Sequence, residues 1–67
     1  MTRYRIEAAV RLADGRESPV AWWEVPAESS VRAVQVVRTA YETAAQAAGS
    51  RIVRGRFAAR RIECETR

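Results

Sequence analysis

Residues 30–48, SVRAVQVVRTAYETAAQAA, decide the fold. Val31, Val34, Val37 or Arg38, Tyr41, Ala45 and Ala48 recur at steps of three and four, which makes one apolar stripe on a helix. Arg32, Gln35, Thr39, Glu42 and Gln46 fall mostly off it. One feature opposes this reading. Val31, Val34, Val36 and Val37 are β-branched, and VRAVQVV alone reads as a strand. Ala40, Ala44, Ala45, Ala47 and Ala48 decide for the helix, because alanine is a strong helix former and a poor strand former. Their small side chains also let the helix axis approach whatever lies beneath.

The flanks carry start and stop signals. Pro26 is a poor continuation of the preceding strand. Ser29 or Ser30 can cap the free amides of the first turn, and Glu28 suits the positive end of the helix dipole. Gly49 is a natural C-terminal stop. Arg38 and Glu42 are four apart and can pair, in the less favourable order.

Upstream, residues 4–12 alternate. Tyr4, Ile6, Ala8, Val10 and Leu12 face one way, and Arg3, Arg5, Glu7, Ala9 and Arg11 face the other. Asp14-Gly15 is a hairpin signal, and Val20 to Val25 is the return strand. A two-residue turn at Asp14-Gly15 and a four-residue loop centred there give the same pairing: Ile6 with Trp23, Ala8 with Ala21, Tyr4 with Val25. Arg5 then faces Glu24 as a cross-strand charge pair. This register puts Trp23 in the core under the helix and Trp22 on the opposite face, next to Glu7 and among arginines. Pro19 and Pro26 bracket the second strand and place it at a sheet edge.

Downstream the chain reads RIVRGRFAARRIECE. Val53, Gly55, Phe57 and Ala59 point inward, Arg54 and Arg56 outward. Gly55 leaves room for the helix at Tyr41. Ile62 and Cys64 share the phase of Arg54, so a β-bulge or the strand's end is expected near Ala59 to Arg61. Glu65 to Arg67 are expected to fray.

The expected fold class is therefore α+β, β-β-α-β: a three-stranded antiparallel sheet of order 2-1-3 with one helix on one face. Strands fall at about 3–12, 19–25 and 51–58 and the helix at about 30–48, all in a single small domain over 1–67. With the first strand central, every neighbour is antiparallel and one crossover of ordinary handedness suffices. Order 1-2-3 is the alternative, and Pro19 argues against it.

Sixty-seven residues make a small core, burying roughly 60% of the unfolded surface, so a dimer or a bound partner would add stability. No run of about 18 apolar residues and no signal-peptide pattern is present, which reads as a soluble, cytoplasmic protein with no membrane partner. Cys64 is the one cysteine and suits a reducing compartment. With no His and one Cys, no protein metal site assembles within one chain, and no cofactor is expected.

The charge balance points to partners. Twelve arginines, no lysine and eight acids give a net charge of +4. A basic balance in so short a chain suits nucleic acid, a nucleoprotein or an acidic protein surface. Arg in place of Lys fits bidentate phosphate contact and stacking, and also fits the codon bias of a GC-rich genome. The face away from the helix gathers Arg3, Arg5, Arg11, Trp22, Arg54 and Arg56, with Glu7 and Glu24 interspersed. Arginines around an exposed aromatic suit single-stranded nucleic acid or a protein hot spot. A solvated sheet face is the competing reading for the arginines, and two copies stacked back to back would also hide Trp22. Arg60, Arg61 and Arg67 form a second basic patch.

Catalytic alternatives have less behind them. Cys64 lies near Arg60 and Arg61, but no His exists to pair with it. Glu63 and Glu65 share a face by the terminus, where no pocket is expected. Gly49 and Gly55 lack the Lys-Ser/Thr and helix of a phosphate loop. The chain is thus not expected to be an enzyme.

The stretches YRIEAAVRLADGRE, VPAESSVRAV and RIVRGRF, in this order, resemble the layout of short proteins encoded by phages and other mobile elements, including some of the anti-CRISPR type. The resemblance spans most of the chain and rests on composition and order, so it assigns no individual residue. It implies an inhibitor that occupies a surface of a nucleoprotein effector, one that would otherwise meet nucleic acid. The leading reading is such a non-enzymatic interaction module, binding through Arg3, Arg5, Arg11, Trp22, Arg54, Arg56, Arg60 and Arg61. Direct nucleic-acid binding and a dimerising structural or assembly subunit are the alternatives.

Overall fold

A computed structural model describes residues 1–62. The chain runs β1 (Thr2–Leu12), β2 (Ala21–Ala27), α1 (Ser30–Ala47) and β3 (Ile52–Arg61). The sheet is antiparallel with order β2-β1-β3, so β1 is central and both later strands are edges. The fold is α+β, as the residue pattern implies. Among the described residues, no helix is long and apolar enough to cross a membrane.

The hairpin register is the expected one, with Tyr4 opposite Val25, Ile6 opposite Trp23 and Ala8 opposite Ala21. The turn is neither of the two expected loops. The Leu12 amide donates to the Arg16 carbonyl at 2.8 Å and the Gly15 amide to the Leu12 carbonyl at 2.9 Å, a three-residue loop with Gly15 at φ +92°. Such a loop needs a residue in the left-handed region, which glycine supplies without steric cost. It shifts the pairing by one, so that Arg11 bridges Glu17. A bulge restores it. Ser18 still pairs with Val10, through its amide at 3.0 Å and its hydroxyl at 3.1 Å, while Pro19 and Val20 together oppose Ala9.

β2 begins and ends later than the composition suggests, and Pro26 lies inside it instead of beyond it. The ladder explains why this is tolerated. In an antiparallel pair, a residue's amide and carbonyl point to the same neighbour, and the direction alternates along the strand. Leu12 and Val10 bond toward β2, whereas Ala13 and Arg3 bond toward the β3 side, to Arg51 and Ile62. Arg3 is the residue opposite Pro26, so the missing amide of Pro26 falls on the outer side of the edge strand.

Ser29, not Ser30, is the N-cap: its hydroxyl accepts from the Arg32 amide at 3.2 Å, and Ser30 is the first helical residue. At the other end Gly49 adopts φ +77°. Its amide bonds the Gln46 carbonyl and the Ser50 amide bonds the Ala45 carbonyl, both at 2.9 Å, which closes the last turn in a Schellman arrangement. The buried face of α1 is Ala33, Val37 and Ala45, flanked by half-buried Val34 and Tyr41. Val31 is 66% exposed and Ala48 is also exposed, so the stripe is rotated by part of a turn from its expected position. Ala33 is the residue that seats against the sheet, since a smaller side chain permits closer approach. Arg38 forms no pair with Glu42 and instead lies over the Phe57 ring, 5.2 Å from its centroid.

The core is small. Among the described residues Ile6 is the largest fully buried side chain, surrounded by Ala8, Ala27, Ala33 and Val37. Burying one aliphatic side chain of this size is worth about 2 kcal/mol. The aromatic residues wrap the helix from both edge strands. Trp23 from β2 and Phe57 from β3 each meet Tyr41 edge-on, at 6.2 Å and 5.8 Å between ring centroids. Trp23 is on the helix side but is 48% exposed, not enclosed as expected, because an edge strand has a neighbour on one side only.

β3 differs from expectation at both ends. It is regular through Arg61, and its one irregularity lies opposite Arg11 and Leu12. There Val53 is the extra residue. Ile52 rather than Val53 faces the helix side with Leu12, and Val53 is 53% exposed. Gly55 makes room for Phe57, not for Tyr41: a Cβ added at Gly55 would stand 2.8 Å from Cε2 of the Phe57 ring. The expectations for Glu63, Cys64, Glu65 and Arg67 lie outside the described residues.

Candidate interaction face on the open sheet

Strand alternation puts one side of the sheet under α1 and leaves the other uncovered. The register sorts the open side into rows across β2, β1 and β3. Glu24, Arg5 and Arg60 share a row, then Trp22, Glu7 and Ala58, then Ala9 with Arg56, and finally Arg11 with Arg54. Arg3 extends the face at one end. Trp22 is 59% exposed on it.

Of the expected site residues, Arg3, Arg5, Arg11, Trp22, Arg54, Arg56 and Arg60 are brought together on this side. Arg61 is not. It lies opposite Tyr4, on the helix side, while its neighbour Arg60 lies opposite Arg5. The second basic patch therefore divides between the two faces, because consecutive strand residues point apart.

The face has fixed partners for some charges and none for others. Glu24 pairs with Arg3 at 3.1 Å rather than with Arg5, the residue directly across from it. Arg5 instead lies over the Trp22 ring at 5.7 Å from the centroid, and so supports the indole from one side. Arg11 pairs with Glu17 at 2.8 Å, a partner that the turn shift brings into reach. The signal that could have found Glu17 is Gly15 as the left-handed residue of a three-residue loop. Among the described residues, Arg54, Arg56 and Arg60 form no ion pair.

Two rows set like charges directly opposite one another: Arg5 with Arg60, and Arg11 with Arg54. Such pairs destabilise a sheet by a few tenths of a kcal/mol to about 1 kcal/mol. In the middle of the face Glu7 stands between Trp22 on β2 and Ala58 on β3, with Ala9 next to it along β1. The face is thus a largely cationic surface with Glu7 in its middle row and one broad aromatic, Trp22, on its β2 edge.

At the hairpin, the Asp14 carboxylate is held below its ordinary value of 3.8, first by the Arg16 amide and next by the Arg16 guanidinium, with slight burial opposing. The contacts are 3.0 Å and 2.8 Å. This is a turn device and lies apart from the open face. Searches against protein-family models, curated proteins and solved structures return no match for the chain.

Proposed function

We propose that the chain is a non-enzymatic interaction module that docks its open sheet face on a phosphate-bearing nucleoprotein surface. In its specific form this is an inhibitor of the anti-CRISPR type, with the layout resemblance as support. The observation that carries the reading is the pair of opposed arginine rows, Arg5/Arg60 and Arg11/Arg54, beside exposed Trp22. A folded chain gains nothing from like charges held face to face. An anion lying between them converts that repulsion into attraction, and Arg presents planar donors suited to phosphate.

The probe is a mixed-sequence oligonucleotide, single- or double-stranded, DNA or RNA, in a mobility shift at two salt concentrations. Binding that weakens with salt, and weakens further in Arg54→Glu, Arg60→Glu and Trp22→Ala, supports the reading. Binding unchanged in all three variants overturns the choice of face. No binding by the wild type at low salt overturns phosphate as the recognised group.

A second reading, direct binding of single-stranded nucleic acid, is favoured by the exposed Trp22 ring with Arg5 lying over it, where a base can stack beside an arginine. Quenching of indole fluorescence by single-stranded but not duplex oligonucleotides, lost in Trp22→Ala, would select it.

A further inference from the structure

The two edges of the sheet are built differently. β2 is seven residues long, follows the bulge at Pro19 and carries Pro26 with its missing amide turned outward. That edge offers few donors to another strand. β3 is ten residues long, with no proline. Arg54, Arg56, Ala58 and Arg60 stand opposite the odd-numbered residues of β1, which bond toward β3. By alternation, the amides and carbonyls of Gly55, Phe57, Ala59 and Arg61 point away from the sheet, with no strand beyond them among the described residues. Their side chains are on the helix side, while the arginines at 54, 56 and 60 line the open face along the same edge.

The charge of this edge tells which strand suits it. β3 contains Arg54, Arg56, Arg60 and Arg61 and no acid. A second copy of β3 would bring a row of arginines against another and is disfavoured on that ground. A strand with carboxylates at alternate positions would set them against Arg54, Arg56 and Arg60, none of which has an ion-pair partner among the described residues. Apolar residues at the intervening positions would lie along Gly55, Phe57 and Ala59. We propose that the outer edge of β3 is a strand-addition site for an extended acidic segment of a partner protein, with the acidic side chains on the arginine face and apolar ones beside Phe57. The site shares Arg54, Arg56 and Arg60 with the open face but does not require that face to bind phosphate.

The test uses the full chain and a ten-residue peptide of alternating glutamate and valine, with a lysine–valine peptide as control. Amide hydrogen exchange followed by NMR reads the edge directly. The Gly55, Phe57 and Ala59 amides should exchange readily in the free protein and gain at least about tenfold protection with the acidic peptide. The lysine peptide should bind at least about tenfold more weakly. Ala59→Pro removes an outward amide without touching the β1 ladder, as Pro26 already does on the other edge, and should weaken peptide binding by about tenfold or more. Should that variant unfold, the exchange pattern of the wild type decides. Peptide binding that shifts the Trp22 indole but leaves the three amides unprotected overturns the proposal, as does equal binding of both peptides. Self-association through β3 that the acidic peptide fails to compete also overturns it. Trp22→Ala should weaken oligonucleotide binding and leave peptide binding intact, so the two proposals fail separately.

Discussion

The indole amine of Trp23 donates a hydrogen bond to the hydroxyl of Tyr41 at 3.0 Å, joining edge strand β2 to the middle of α1. The same two rings meet edge-on, and Tyr41 meets Phe57 in the same way on the far side. With few large side chains buried, this aromatic chain across both flanks of the helix substitutes for a deeper core. Tyr41→Phe should cost about 0.5–1.5 kcal/mol, since it removes the acceptor from a half-exposed donor. Trp23→Ala should cost several times more, about 3 kcal/mol, by losing both ring contact and burial. Chemical denaturation of both variants checks this, and equal costs would mean that the bond outweighs the packing.

Gly55 and Phe57 should show a reversal of sign. Alanine is ordinarily better than glycine in a strand by about 0.5–1 kcal/mol. Here its Cβ would meet the Phe57 ring at 2.8 Å, and that ring is also held by Tyr41 and Arg38. Displacing it forfeits aromatic contacts worth about 0.5–1.5 kcal/mol in addition to the strain. Gly55→Ala should therefore destabilise the wild type and stabilise a Phe57→Leu background, measured as a double-mutant cycle of unfolding free energies.

The two serines ahead of α1 are not equivalent. Ser29→Ala should cost about 1 kcal/mol because the Arg32 amide loses its acceptor. Ser30→Ala should change stability by less than about 0.5 kcal/mol. Thermal unfolding of the pair separates them.

Asp14 should make a contribution that depends on pH. Its folded carboxyl sits below the ordinary 3.8, so the carboxylate stabilises the native chain above that value and the effect is lost as pH falls through the folded value. The group is exposed, and the expected effect is small. The stability difference between the wild type and Asp14→Asn should be greatest at neutral pH and shrink on acidification below about 4. A difference independent of pH would show that the hydrogen bond, not the charge, is what matters.

Arg60 should trade stability against binding. Arg60→Gln removes the like charge opposite Arg5 and should raise stability by a few tenths of a kcal/mol at low salt, with the gain fading as salt screens it. The same change should weaken oligonucleotide binding. A variant that loses stability instead would mean the arginine stem packs on the sheet and that its charge is secondary.

Much of the fold was legible because its signals are local. Alternation along residues 4–12 separates the two faces of β1, Asp14-Gly15 marks the hairpin, and the alanines after residue 40 outweigh the valines before it. The prolines at 19 and 26 mark β2 as an edge, and together with the preference for antiparallel neighbours they favour order 2-1-3 over 1-2-3, which is the order the sheet adopts. The same alternation predicted that Arg3, Arg5, Arg11, Trp22, Arg54 and Arg56 share one side.

What the tertiary structure decided are choices between near-equal local options. Two serines can cap a helix, and the approach of α1 selected Ser29. Periodicity put Val31 in the stripe, and the seat on Ile6 and Ala8 is taken by the smaller Ala33 instead. Glu24 lies between Arg3 and Arg5, and only the stacking of Arg5 on Trp22 leaves it to Arg3. The β3 bulge falls at Val53, at the opposite end of the strand from Ala59 to Arg61 where side-chain parity suggests it, and reverses the facing of Ile52 and Val53. The alternation of Arg60 and Arg61 across the sheet divides a patch that is continuous along the chain. Periodicity fixes which residues share a face. Which of two adjacent residues makes a given contact depends on energies of about 1 kcal/mol or less, and those are set by neighbours distant in the chain.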